Sequence, residues 1–118
     1  MNFTTEKAIY VQIADRLCDE VLAGMYGDDE RIPSVREYAV LLEVNANTAV
    51  KSYDLLEQRG IIYKKRGLGY FVTAGAKQQI LKERRKEFME TRLPEMFRQM
   101  RMLGIGMEEV TEKWVSGS

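Results

Sequence analysis

The apolar residues of this chain change their spacing at Gly60, and that change limits what it can fold into. Before Gly60 they recur at helical intervals in three separate runs. After it, two short β-rich runs flank Gly67-Leu68-Gly69. Three helices and then one hairpin specify a small domain whose elements come in a fixed order.

Ile9, Ile13, Leu17 and Val21 fall on every fourth position, and Ala14 and Leu22 widen the stripe. This predicts a first helix over residues 8–24, ended by Gly24. Cys18 lies at the edge of the stripe and reads as a small core residue. Residues 25–32 read as a loop. Ser34 and Glu37 have the spacing of a capping box, so a second, short helix starts at Val35 and ends near Leu42. Glu43-Val44-Asn45 is a tight turn, and Asn45 caps a third helix from Ala46 to Arg59. At about 100° per residue, Ala49, Val50, Tyr53 and Leu56 point toward a core. Asn47, Thr48 and Lys51 point outward, with Leu55 behind them. Short polar side chains in the first two turns suit a helix that reaches base edges and phosphates.

Ile61-Ile62-Tyr63 and Tyr70-Phe71-Val72-Thr73 read as the two strands of a hairpin. Lys64-Lys65-Arg66 and Gly67-Leu68-Gly69 form its bend, where the glycines let the backbone approach another surface. Tyr53 and Tyr63 read as core residues. The expected fold is mostly α with a small β-hairpin: a winged helix-turn-helix over residues 1–75, followed by a short helical dimerisation tail over residues 76–118.

In the tail, Lys77 to Arg92 is strongly helical and very polar, and Arg84-Arg85-Lys86 reads as a solvated face. Leu93, Met96, Phe97, Met100 and Leu103 share one face of a second segment, with Pro94 in its first turn. Gly104-Ile105-Gly106 breaks that segment, and Met107, Val110 and Trp114 form a third stripe. Roughly forty residues do not easily enclose a ligand pocket of several hundred Å³. The tail is therefore expected to pair two chains through Ile80, Leu81, Phe88, Leu93, Met96, Phe97, Met100, Leu103, Val110 and Trp114. Methionine-rich surfaces adapt to varied ligands. A small-molecule effector between subunits thus stays open, although no sequence feature indicates one.

Composition narrows the function. The chain has no histidine, which removes the commonest general base and metal ligand. Its one cysteine has no partner for a disulfide or a zinc site. It has neither a glycine-rich phosphate loop followed by lysine nor a nucleophile elbow. No catalytic residue, metal or cofactor is expected, and an enzyme is disfavoured. Residues Met1 to Lys7 lack the basic start and apolar run of a secretory signal, and the longest apolar runs fall short of a membrane span. A cytoplasmic protein without membrane contact is the expectation. Formal net charge is zero, from 18 basic and 18 acidic residues. Residues 1–75 hold nine basic and eleven acidic side chains, and residues 76–118 hold nine and seven. Any DNA binding must then rest on locally placed charge, and it should be salt-sensitive.

Each candidate has a plainer role beside the functional one. Arg36 reaches DNA or pairs with Glu37. Thr48 reads bases or merely caps its helix. Lys64-Lys65-Arg66 grips phosphate or is a solvated run, with Lys64 the weakest candidate because of its place near the strand. The low net charge also leaves open a winged helix that serves protein contacts alone.

Five blocks in order resemble the GntR family of bacterial transcription regulators. They are Ile9-Tyr10-Val11-Gln12-Ile13-Ala14; Ile32-Pro33-Ser34-Val35-Arg36-Glu37; Val44 through Tyr53; Leu56 through Tyr63; and Arg66-Gly67-Leu68-Gly69-Tyr70-Phe71-Val72. The short helical tail and Asn45-Ala46-Asn47-Thr48 resemble the YtrA-type subfamily. The resemblance implies a homodimer on a palindromic operator in double-stranded DNA, usually as a repressor. It implies DNA contacts at Arg36, at Asn45, Asn47, Thr48 and Lys51, and at Arg66, Gly67 and Gly69 of a wing that enters the minor groove; Ser34 and Lys65, next to these, are further candidate contacts. Three residues depart from the family pattern. Glu43 stands where glycine is usual, Ala46 where proline is common, and Leu68 where a basic residue is frequent.

Overall fold

The computed structural model describes residue 3 and residues 6–117; residues 1, 2, 4, 5 and 118 of the two expected units lie outside the described residues. The chain divides into two compact units, Met1–Leu81 and Lys82–Ser118, rather than after residue 75.

In the first unit, α1 (Ile9–Leu22), α2 (Val35–Leu42) and α3 (Ala46–Gln58) precede the strands β1 (Ile62–Lys65) and β2 (Gly69–Val72). A further helix, α4 (Ala76–Glu87), begins there. The capping box at α2 forms as expected. The Ser34 hydroxyl accepts the Glu37 amide at 3.1 Å, and a Glu37 carboxylate oxygen accepts the Ser34 amide at 3.0 Å. These bonds satisfy two donors that a helix start otherwise leaves orphaned. Glu43 ends α2 in the left-handed conformation, with φ 56° and ψ 47°. This is the backbone that glycine supplies in the family pattern, and holding it with a side chain costs about 1 kcal/mol.

The core gathers α1, the inner faces of α2 and α3, and the inward side chains of the hairpin. Ile13, Leu17, Tyr38, Tyr53, Leu56 and Ile62 are all buried in it, and so is Cys18. Burying a side chain of this size contributes about 1.5–3 kcal/mol. Val50 departs from expectation, being 42% exposed. Ser52 is buried instead, and its hydroxyl donates to the Tyr10 carbonyl at 2.7 Å. Ala49, Ser52, Tyr53 and Leu56 keep i, i+3, i+4, i+7 spacing, so Val50 is turned off the stripe. Leu55 was expected to face outward, yet it is half-buried against the core.

Residues 25–32 are more than a loop. Asp29 and Ile32 donate their amides to Val72 and Tyr70, and the Val72 amide donates to Glu30. This segment forms a third rung beside β2, with Arg31 bridged to Phe71. In the hairpin, Ile62 pairs with Val72 and Lys65 with Gly69, so Lys64 and Lys65 lie on β1 and only Arg66 of the three cations reaches the turn.

Ile80 was assigned to subunit contact, but it is 1% exposed and belongs to the first unit's core with Ala76. The start of α4 closes that core, and the Gln79 side-chain amide donates to the Arg59 carbonyl at 2.7 Å. This burial leaves Ile80 no surface with which to meet a second chain.

The second unit continues α4 through one wide π-helical turn, Phe88–Arg92, into α5 (Leu93–Leu103) and then α6 (Met107–Ser116). The expected single helix to Arg92 therefore changes its hydrogen bonding at Phe88. Pro94 sits in the first turn of α5, and Gly104 caps that helix in the left-handed conformation. Met100 is the buried residue of α5, whereas Phe88, Met96, Leu103 and Trp114 are exposed and Leu93, Phe97 and Val110 are half-buried; Leu81, also exposed, is the last residue of the first unit. Among the described residues, no helix is long and apolar enough to cross a membrane.

Candidate nucleic-acid interface

Three parts of the first unit carry the expected contact residues. The first is the start of α2. Arg36 is its second residue and is exposed, between the two residues of the capping box. The Ser34 hydroxyl oxygen accepts the Glu37 amide, while its hydrogen remains able to donate. The Ser34 amide and hydroxyl hold the Glu37 carboxyl below its ordinary pKa, and the charge of Arg31 lowers it further. Glu37 is therefore ionised at neutral pH and fixed to the helix end.

The second part is α3. Asn45 caps it by accepting the Asn47 amide at 2.8 Å, which makes Asn45 first of all a structural residue. Asn47 and Lys51 are exposed and Thr48 is half-buried. Val50 stands at i+3 from Asn47 and beside Lys51, so it shares their open face. Its spacing to Asn47 was the available signal, but its apolar character assigned it to the core. An exposed aliphatic group there can meet a thymine methyl.

The third part is the hairpin. Its inner face packs Ile62, Tyr70 and Val72, and its outer face carries Tyr63, Lys65 and Phe71. Tyr63 is thus not a core residue. It stacks on Phe71 with ring centroids 5.8 Å apart, and its hydroxyl donates to Asp29 at 2.8 Å. That bond raises the pKa of the phenol. The Lys65 ammonium lies 4.7 Å from the Phe71 ring centroid, a cation–π contact that orders a long side chain. Arg66, Gly67 and Leu68 make the exposed tip.

An aromatic chain holds these parts together. Tyr53 of α3 meets Tyr38 of α2 at 6.1 Å and Tyr70 of β2 at 5.1 Å. The Tyr53 hydroxyl donates to the Pro33 carbonyl at 2.6 Å, and that of Tyr38 donates to Glu20 at 2.9 Å. Burial is the main reason that both phenols have raised pKa values, so neither ionises in the physiological range. Helix angle and wing root are set by one packed unit. Among the described residues, no cluster of three potential ligands is placed to hold a metal ion.

A capped short helix, a left-handed turn, an exposed polar helix and a cationic hairpin together define a winged helix-turn-helix regulator. The chain belongs to the GntR family of bacterial regulatory proteins, whose family model matches residues 9–72. It is 34% identical over 94% of its length to the uncharacterised HTH-type transcriptional regulator YhcF of Bacillus subtilis, covering 90% of that protein. It is 31% identical to the HTH-type transcriptional repressor YtrA of the same organism, over 91% of this chain and 81% of that one. The crystal structure of a GntR-family regulator from Bacteroides thetaiotaomicron superposes with a TM-score of 0.78 at 47% identity, covering 92% of this chain and 95% of that one.

Proposed function

We propose that this regulator is a repressor that acts as a homodimer on a palindromic DNA operator. One observation carries the DNA contact: α3 holds Asn47, Thr48, Val50 and Lys51 on its uncovered side while Tyr53 anchors its other side to α2 and the wing. Arg36 and Ser34 then meet phosphates flanking the major groove. Lys65, Arg66, Gly67 and Gly69 form the wing's grip in the adjacent minor groove. Asn45 contributes by fixing the start of the helix.

Repression is favoured by the name of the B. subtilis relative that matches along most of the chain. Pairing is favoured by the second unit, which exposes Phe88, Leu103 and Trp114 from helices too short to bury them alone. We place the pairing module at Lys82–Ser118 and the DNA-binding module ahead of it. A site inside the bacterial cytoplasm follows from this role, which calls for no cofactor and no enzymatic step. The role calls for no small-molecule effector either.

The test is a mobility-shift titration with duplexes selected by the pure protein from a random pool. Specific binding should fall steeply as salt rises, and Arg36→Ala should weaken it by at least about 1 kcal/mol. Selected half-sites should be centred about 34–36 Å apart. A protein that ignores duplex DNA at low salt would leave the winged unit as a protein-contact module, in keeping with its lack of net positive charge.

A further inference from the structure

The segment ahead of α2 carries a cation that the sequence pattern leaves unassigned. Arg31 is bridged to Phe71 in antiparallel register. Residues directly opposed in such a pair share one face of the sheet. Phe71 is opposed to Tyr63 in turn, and Gly69 to Lys65. Arg31, Tyr63, Lys65 and Phe71 therefore stand on the outer face of the wing, while their neighbours Ile32, Ile62 and Val72 are buried on the inner one.

The position of Gly69 fixes where the Arg31 guanidinium lies. A Cβ at Gly69 would come within 3.2 Å of Arg31 Nε and 3.6 Å of Nη2, and φ there is +107°. The guanidinium thus occupies the space left by the missing side chain, at the root of the wing tip and across from Lys65. None of the ion pairs found among the described residues involves Arg31. Three carboxylates close to it in sequence accept hydrogen bonds from other groups. Asp29 accepts the Tyr63 hydroxyl, Asp28 accepts the Gly75 amide, and Glu37 accepts the Ser34 amide while feeling the Arg31 charge only at longer range.

We propose that Arg31 is a further DNA-contacting residue, which joins Lys65 and Arg66 to grip one backbone phosphate beside the groove that the wing enters. Gly69 then serves the grip indirectly, by leaving room for the guanidinium. The proposal rests on the DNA-binding role given above.

The same selected duplex, titrated over a range of salt, separates the two. Arg31→Met keeps the aliphatic stem and removes the charge. It should weaken binding roughly five- to tenfold for every sequence tested and reduce the slope of log affinity against log salt by about one. Arg31→Lys should restore the slope, since a point charge suffices for phosphate. Thermal unfolding of both variants should match the parent, which a purely structural arginine would not allow. If Arg31→Met binds with unchanged affinity and slope while Arg66→Ala is weakened, the proposal falls and the DNA-binding role stands. If the parent protein binds no duplex, both fall.

Discussion

The two units of this chain differ in how much core they close, although the winged unit also leaves Val40 and Leu41 exposed. The winged unit closes its own core, with Tyr38, Tyr53, Leu56 and Ile61 wholly buried. The tail leaves Leu103 73% exposed and Trp114 85% exposed. A three-helix unit with a hairpin has layers on several sides of its core, whereas three short consecutive helices have only each other. The contrast separates what the chain needs in order to fold from what it offers to a second molecule.

Substitutions should sharpen or break that contrast. The largest effect is expected inside the winged unit. Leu56→Ala should lower stability by about 2–5 kcal/mol in urea unfolding, because the packed site cannot collapse around the gap. A loss below 1 kcal/mol would mean that this core is looser than its burial indicates. In the tail, Leu103→Glu combined with Trp114→Ala should leave the unfolding of the winged unit within about 0.5 kcal/mol. It should nevertheless weaken self-association at least a hundredfold, about 2.7 kcal/mol, in sedimentation equilibrium. Unchanged association would place the dimer contact elsewhere.

Smaller effects test the helix ends. Ser34→Ala should cost about 1 kcal/mol through loss of the cap. The partner Glu37 titrates below its ordinary value in the folded state. Its contribution is complete above the unfolded carboxylate range and is lost as pH falls through the lower folded value. In Glu37→Gln the acid limb of the stability curve should flatten accordingly. The smallest effect is a gain. Glu43→Gly should add about 0.5–1 kcal/mol by relieving the left-handed backbone. A loss instead would show that the Glu43 side chain does something the backbone angles do not reveal.

Much of the winged unit was legible because its elements obey local rules. The capping box, the Asn45 cap, the three helical runs and the hairpin each leave a signature within a few residues. What escaped depends on distant partners. Ile80 reads as tail surface until the Ala76 turn is seen to close the first core. Residues 29–32 show no run of alternating apolar residues, since Ile32 is the one apolar side chain among them and the pairing with β2 is carried by backbone groups. Val50 was misplaced because a one-residue rotation, about 100°, is below what apolar character alone resolves in a helix flanked by Ser52. The π turn at Phe88 follows from hydrogen bonds that shift by one residue, which no side-chain pattern records. In the candidate interface, the polar face of α3 and the wing tip could be read from composition. Arg31 could not, since its place depends on the side chain that Gly69 lacks.

The position of Trp114 has a practical consequence. It is the chain's one tryptophan, and it lies in the second unit. Excited selectively, the protein emits from the tail alone, and the winged unit stays dark. A solvent-facing indole fluoresces at long wavelength and is open to collisional quenchers. An indole covered by another surface shifts to the blue and is shielded. The chain thus carries its own optical gauge of whether the tail is covered, readable without a label while DNA is titrated onto the other unit.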